Sequence, residues 1–234
     1  QVRILREPGD DSEWERIITV RLPEAGLLPE QFPLPIEAED VVIVIENDQA
    51  RPAGGVYRAL GGGEATVEAD VFLGDADDDV LPDLRIEAWD VAVDERLLHA
   101  IPDIGEDGSG DARSAGELLA TLGVRGTVAC TALIAPRPGT EKLGYDISVT
   151  AQGLRAEPAS SAGAVSFEDL TGTVEVSERR VAIDLDAEVI HAGVLPDPVA
   201  GLPSAGRLSI EGSLDMMPAG DPLIWARIRG ERVD

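Results

Sequence analysis

The feature that most constrains this chain is a run of strict alternation. Over residues 167–189 the sequence reads FEDLTGTVEVSERRVAIDLDAEV. In its second half Val181, Ile183, Leu185, Ala187 and Val189 alternate with Ala182, Asp184, Asp186 and Glu188. In its first half Leu170, Val174 and Val176 alternate with Thr171, Thr173, Glu175 and Ser177. A period of two places successive side chains on opposite faces of a strand, so each half predicts a strand with one dry and one wet face. The two halves turn back on each other at 177–180. A dry face must be covered, and the candidates are a second sheet, a helix or a ligand that is itself oily.

The same pattern recurs along the chain. Strands are predicted at 14–22, 41–47, 65–73, 84–93, 124–134, 144–151, 207–214 and 222–229, besides the pair just described. That makes about ten, joined mostly by short turns, which argues for an antiparallel meander rather than βαβ units. At about 8 to 10 residues each, they span roughly 26 to 34 Å. Two segments carry local signatures of their own. The β-branched run VVIVI at 41–45 is apolar on both faces, which predicts a central or doubly covered strand. In 84–93 the phase slips: Leu84, Ile86 and Ala88 lie on one face and Trp89, Val91 and Val93 on the other, which signals a bulge or a second covered face.

Two short helices interrupt the strands. Near 94–101, Asp94 stands as an N-cap, Leu97, Leu98 and Ile101 have helical spacing, and Pro102 is a stop. Near 114–122, Ser114 and Glu117 fit a capping box, Leu118, Leu119 and Leu122 form an apolar edge, and Gly123 suits the C-terminal cap. The acidic, Gly-rich loop between them, 103–113, is a candidate sub-boundary in what otherwise reads as one elongated β module over 1–234. Because the sequence opens on Gln1 rather than Met, the expectation is an excised segment of a larger protein or a processed product.

Composition removes several classes of function. There are 45 acidic and 19 basic residues, giving a net charge of −26, and only one of the basic residues is lysine, Lys142. Such a field repels phosphate backbones, so no nucleic-acid partner is expected. The aromatic content is 3% against 44% hydrophobic residues, so the core must be aliphatic. The single cysteine, Cys130, sits in the alternation Val128, Cys130, Ala132, Ile134 and reads as a buried structural thiol. No apolar run is long enough to span a bilayer as a helix.

Catalytic and metal motifs fail one by one. His99 and His191 belong to no spaced set of ligands, and no G-x-S-x-G occurs. The loop at 103–111 fails the calcium-loop pattern, with Gly105 at its third position and Ser114 at its twelfth. The acidic run at 75–79 reads as a solvated turn, with weak calcium binding by either loop left open. Gly61, Gly62 and Gly63 lack the G-K-[ST] ending of a phosphate loop. No pair of carboxylates is nominated for glycan chemistry. The expectation is a chain that is not an enzyme and needs no cofactor or metal.

The residues that carry the alternation also resemble a family. The stretch at 167–189 is similar to the recurrent unit of the bacterial AsmA-like proteins, which include TamB-type and YhdP-type envelope proteins. In that unit a strand with an L-x-G motif, here Leu170-Thr171-Gly172, precedes a turn and a paired strand. LSIEGSL at 208–214 resembles the same unit. FPLPIEAEDVVIVIEN at 32–47, LRIEAWDVAVDERLLHAIPD at 84–103 and VRGTVACTALI at 124–134 resemble other segments of such proteins, so the likeness covers most of 14–229.

The resemblance implies a mainly β protein, an elongated antiparallel sheet curled into a groove, or β-trough. It implies a periplasmic, cell-envelope location, with membrane contact and an inner-membrane anchor in segments outside this chain. It implies no catalytic residues, and a phospholipid or other acyl-chain partner that the groove shields or conducts between membranes. The apolar faces that would line it comprise Val67, Ala69, Val71, Val128, Ile147, Val149, Val174 and Val176. They continue through Val181, Ile183, Leu185, Leu208, Ile210, Ile224 and Ile228. The two helices and the doubly apolar strand at 41–45 depart from a plain repeated trough. The alternative on the same residues is a closed β-sandwich, a structural or adhesive spacer whose dry faces cover one another.

Overall fold

The computed structural model describes residues 2–5, 15–30, 32–59, 61–73, 82–101, 120–137, 143–158, 165–191, 205–215 and 223–232. They form one antiparallel sheet of thirteen strands. In chain order these are β1 (Val2–Leu5), β2 (Glu15–Leu27), β3 (Ile36–Glu46), β4 (Gln49–Ala59), β5 (Glu64–Phe72), β6 (Pro82–Ala92), β7 (Val124–Arg125), β8 (Thr127–Pro136), β9 (Leu143–Ala156), β10 (Val165–Ser177), β11 (Arg180–His191), β12 (Ala205–Asp215) and β13 (Leu223–Arg232). Each strand pairs with the next along the sequence, except that β6 pairs with β8 while the two-residue β7 pairs with β9. The order runs linearly from β1 to β13, so the sheet is open and not closed into a barrel.

The predicted meander is therefore the observed architecture, with three more strands than the alternation revealed. β4 reads QARPAGGVYRA: Pro52, Gly54 and Gly55 break its apolar period, yet it pairs with both β3 and β5. β1 is four residues long, too short to show a period. β7 is separated from β8 by Gly126, whose φ of 127° turns the chain between them.

A sheet this wide needs local devices to twist and curl, because flat sheets of many strands pack poorly. Three of those devices are aspartates. Asp40, Asp90 and Asp169 have φ of 51°, 55° and 49°, the left-handed region that Asp tolerates better than most residues. Each lies at a register shift: β3 against β4 between Glu39 and Val42, β6 against β8 between Ala88 and Val91, and β10 against β11 between Glu168 and Thr171. The phase slip read in 84–93 is the second of these bulges. It re-aims the strand so that Leu84, Ile86, Ala88 and then Val91 all reach the same buried face, while Trp89 is left on the exposed side.

The short helix α1 (Glu95–Ala100) starts where its cap predicts. The Asp94 side chain accepts from the backbone N–H groups of Arg96 and Leu97, and Leu97 and Ala100 are buried. Of the second predicted helix, residues 114–119 lie outside the described residues. Its end is visible: Ala120 and Thr121 are helical, the Gly123 amide donates to the Ala120 carbonyl, and Gly123 has the left-handed φ of 61° expected of a cap.

The core gathers on one side of the sheet. Phe32, Leu34 and Ile36 come from the Pro-rich approach to β3, where the Leu34 amide donates to the Phe32 carbonyl across Pro33 and all three apolar side chains are buried. They join Ile86, Ala88, Cys130, Ile134, Ile147 and Leu97 of α1 in a single cluster. The VVIVI strand, β3, is internal, between β2 and β4. Only Val41 of its five residues is fully buried; the other four are half-buried on both faces.

Candidate functional site

The register of the strands places the apolar residues in rows across the sheet. Val67, Ile86, Ala132, Ile147, Val176, Val181, Leu214 and Ile224 stand opposite one another in turn from β5 to β13. A second row runs Ala65, Ala88, Cys130, Val149, Val174, Ile183, Gly212 and Ala226. A third runs Val91, Val128, Ala151, Gly172, Leu185, Ile210 and Ile228. Ala69 and Val71 continue the face on β5, opposite Leu84 and Pro82, and Leu208 continues it on β12, opposite Ala187. By register, then, all fifteen residues named from the sequence share one face.

Exposure along that face is graded. In the first row Ile86 is 1% exposed, Ile147 2%, Val176 3% and Val181 8%. Val128 is likewise buried. Val67, Ala69, Val71, Val149, Val174, Ile183, Leu185, Leu208 and Ile210 are half-buried. On β13, Ile228 is 67% exposed. The protein itself therefore covers the dry face over β6, β8 and β9. Part of that cover is α1 and the Phe32–Leu34 segment. Towards β12 and β13 the cover thins out.

Ile86, Leu84 and Ile134 are buried on this face and do not belong to the lining expected from sequence. Their alternation was visible, but nothing in it distinguishes a floor from a lining. Phe32 and Leu34 were also missed as core. Their signal was the period-two spacing of Phe32, Leu34 and Ile36 through the prolines.

Among the described residues, two concavities lie on the opposite, wet face. One of about 400 Å³ is lined by Thr131, Asp146, Ser148, Glu175, Ser177 and Arg180, together with Leu133 and Ala182 and the edges of Ile147 and Val176. The other, of about 260 Å³, is lined by Asp169, Thr171, Asp186, Ala187, Glu188 and Arg207. Arg180 in the first is turned toward Asp215 on β12, at 3.5 Å. Both are carboxylate-rich and neither holds a histidine or a cysteine.

The remaining chemistry is sparse. Among the described residues no group of three His, Cys, Asp or Glu side chains is placed to hold a metal ion. His99 lies on α1 with Nδ1 against the Glu95 carbonyl. The side chain of His191 and the acidic loops at 75–79 and 103–111 lie outside the described residues. Cys130 is buried, and burial pushes its thiol up to about 12. At neutral pH it is a neutral packing group, not a thiolate nucleophile. Burial also raises the hydroxyls of Tyr57 and Tyr145.

The L-x-G motif acquires a mechanical reason. Gly172 has φ of 130°, and a Cβ on it would sit 2.0 Å from the Asp184 carbonyl oxygen of β11. Glycine there lets β10 and β11 approach just past the Asp169 bulge. No described helix is long and apolar enough to cross a membrane. Comparison with protein-family models, with curated proteins and with solved structures finds no match to this chain.

Proposed function

We infer that this chain is a non-catalytic module of a cell-envelope protein whose dry sheet face shelters phospholipid acyl chains as they pass between membranes. The observation that carries the reading is the graded apolar face, whose registered rows run from β6, where Ile86 is 1% exposed, to β13, where Ile228 is 67% exposed. Leaving such a face to water costs about 0.8 kcal/mol for each CH₂ that could be buried. Contiguous exposed apolar surface on a protein commonly marks a binding site. An aliphatic, aromatic-poor floor suits a flexible hydrocarbon chain, which needs continuous apolar contact and no directional bonds. The chain would sit over β11 to β13, against Ile183, Leu185, Ile210 and Ile228. Ile183, Leu185 and Ile210 lie in the stretches that give the AsmA-like resemblance, which implies a periplasmic setting and an anchor in segments outside this chain.

The test is purification of the protein from cells followed by lipid mass spectrometry of the bound fraction. Copurifying phospholipid, lost when Ile210 and Ile228 are both replaced by Asp, supports the reading. A lipid-free protein overturns it. A second reading is favoured by one observation, the self-covered face over β6, β8 and β9: a structural spacer without ligand. It predicts a lipid-free protein whose Ile210→Asp variant behaves as the parent does.

A further inference from the structure

One seam inside the sheet is left unstitched, the one between β4 and β5. On its far side β5 pairs with β6 through eight consecutive positions, 64–71, without a shift. Toward β4 it is paired only at its ends. Gln49 and Ala50 stand opposite Phe72 and Val71, and Tyr57 and Arg58 stand opposite Ala65 and Glu64. Residues 51–56 of β4 and 66–70 of β5 have no register partner across the seam. Elsewhere among the described residues, an interruption between neighbouring strands skips at most two residues on a strand.

The cause lies in β4. It takes seven steps from Ala50 to Tyr57 where β5 takes six from Val71 to Ala65, so no single register joins both ends. The extra residue falls in RPAGGV, where a ladder is hardest to form. Pro52 has no amide hydrogen, and Gly54 and Gly55 have no side chain to pack against a neighbour. Ala53 and Gly55 have no register partner on either side of β4. Arg51 and residues 53–56 are exposed, so water reaches their main-chain groups.

Side chains do little to close the seam on the wet face. Arg58 turns back to Glu39 of β3, at 2.9 Å, and so stays on its own side. Arg51 does reach Asp70 of β5, but both side chains are more than half exposed, and such pairs contribute little. The stronger tie is on the dry face. There Phe32 and Leu34, which lead into β3, are buried in one cluster with Ile86 of β6 and Leu97 of α1, and Tyr57 packs against it. The two sides of the seam are thus joined by two short ladders and by a patch of apolar packing.

We propose that the β4–β5 seam is a hinge, about which β1 to β4 swing as one wing and carry Phe32 and Leu34 on and off the dry face. The structure shows the wing closed, with those two side chains as its latch. The short ladders at the two ends are the pivots, and residues 51–56 absorb the change in backbone angles, which glycine permits. The device stands apart from the lipid reading, since a sheet without ligand hinges in the same way.

The test measures distances between two spin labels on the whole chain. Arg21→Cys on β2 and Thr127→Cys on β8 lie five strand spacings apart across the seam. Asp83→Cys on β6 and Glu211→Cys on β12 lie five spacings apart without crossing it. Cys130 is buried and stays in place. The distance distribution across the seam should be at least about twice as broad as the control. Phe32→Ala, which removes the latch, should broaden it further and leave the control unchanged. Hydrogen exchange separates a hinge from a fraying edge: the amides of β2 and β3 should be protected to within about tenfold of those of β8 and β9, because the wing moves whole. Equal widths for the two label pairs overturn the proposal, and the seam is then a fixed bulge that only sets the curl. Exchange in β2 and β3 as fast as at Ala53 and Gly55 overturns it too, since the wing then unfolds instead of swinging. Both measurements on the otherwise unaltered chain decide the matter even if Phe32→Ala fails to fold.

Discussion

At the residue scale, two positions show how much one atom decides. Gly172 holds a φ of 130°, with a Cβ position 2.0 Å from the Asp184 carbonyl oxygen, so neither its conformation nor its space admits a side chain. Gly172→Ala should cost about 3 kcal/mol, read as a fall in the denaturant midpoint. Gly26 on β2 has open space at the same atom and no unusual φ. Gly26→Ala should be neutral or stabilising by up to about 1 kcal/mol, and equal losses at the two sites would refute the steric account. Cys130 makes a pH prediction. Below about pH 8.5 its thiol is neutral in both the folded and the unfolded chain, so it adds no pH dependence. Above that the unfolded thiol ionises while the buried one stays protonated until about 12, so stability falls as pH climbs through this window. The fall should be shallower in Cys130→Ala when unfolding free energies are compared at pH 8 and pH 10. Alternation alone placed Cys130 among buried neighbours. The L-x-G motif was legible as a motif, but the close approach that demands its glycine was not, because that depends on the bulge at Asp169 and the partner strand.

At the element scale, the sequence was most informative where a local rule acts alone. The Asp94 cap, the Gly123 cap and the bulge in 84–93 each follow from a few adjacent residues, and each is found in place. β4 was illegible for the opposite reason. Its residues have little strand preference, and it is a strand because β3 and β5 offer their edges and their acids on either side. α1 matters beyond its length, since Leu97 is 2% exposed within the main cluster. Leu97→Ala should cost about 2 to 4 kcal/mol in chemical denaturation, the usual range for a truncated core leucine. Asp94→Ala removes a cap accepting two amides and should cost about 1 kcal/mol. If Leu97→Ala proves as mild as Asp94→Ala, α1 is not part of the cover over the dry face.

At the scale of the whole molecule, the meander and the sharing of one dry face were readable because period two survives even where individual strands are irregular. Which part of that face is open was not readable. Val128 and Ile228 alternate alike in sequence, yet one is buried and the other 67% exposed, because part of the cover comes from α1 and the Phe32–Leu34 segment. The net charge of −26 is likewise a global quantity. Self-repulsion among carboxylates should be screened by salt, so the thermal midpoint should rise between low salt and about 0.5 M sodium chloride. Each kcal/mol relieved should raise it by roughly 2 to 4 °C. The central claim is that the dry face holds acyl chains at its open end and only there. It is tested most directly by placing a photo-crosslinking amino acid at Ile228, Leu185 or Ile147 and irradiating cells that carry the protein. The account predicts phospholipid adducts at positions 228 and 185 and none at 147, where the side chain is 2% exposed. Adducts absent from all three positions, or as abundant at 147 as at 228, would contradict it.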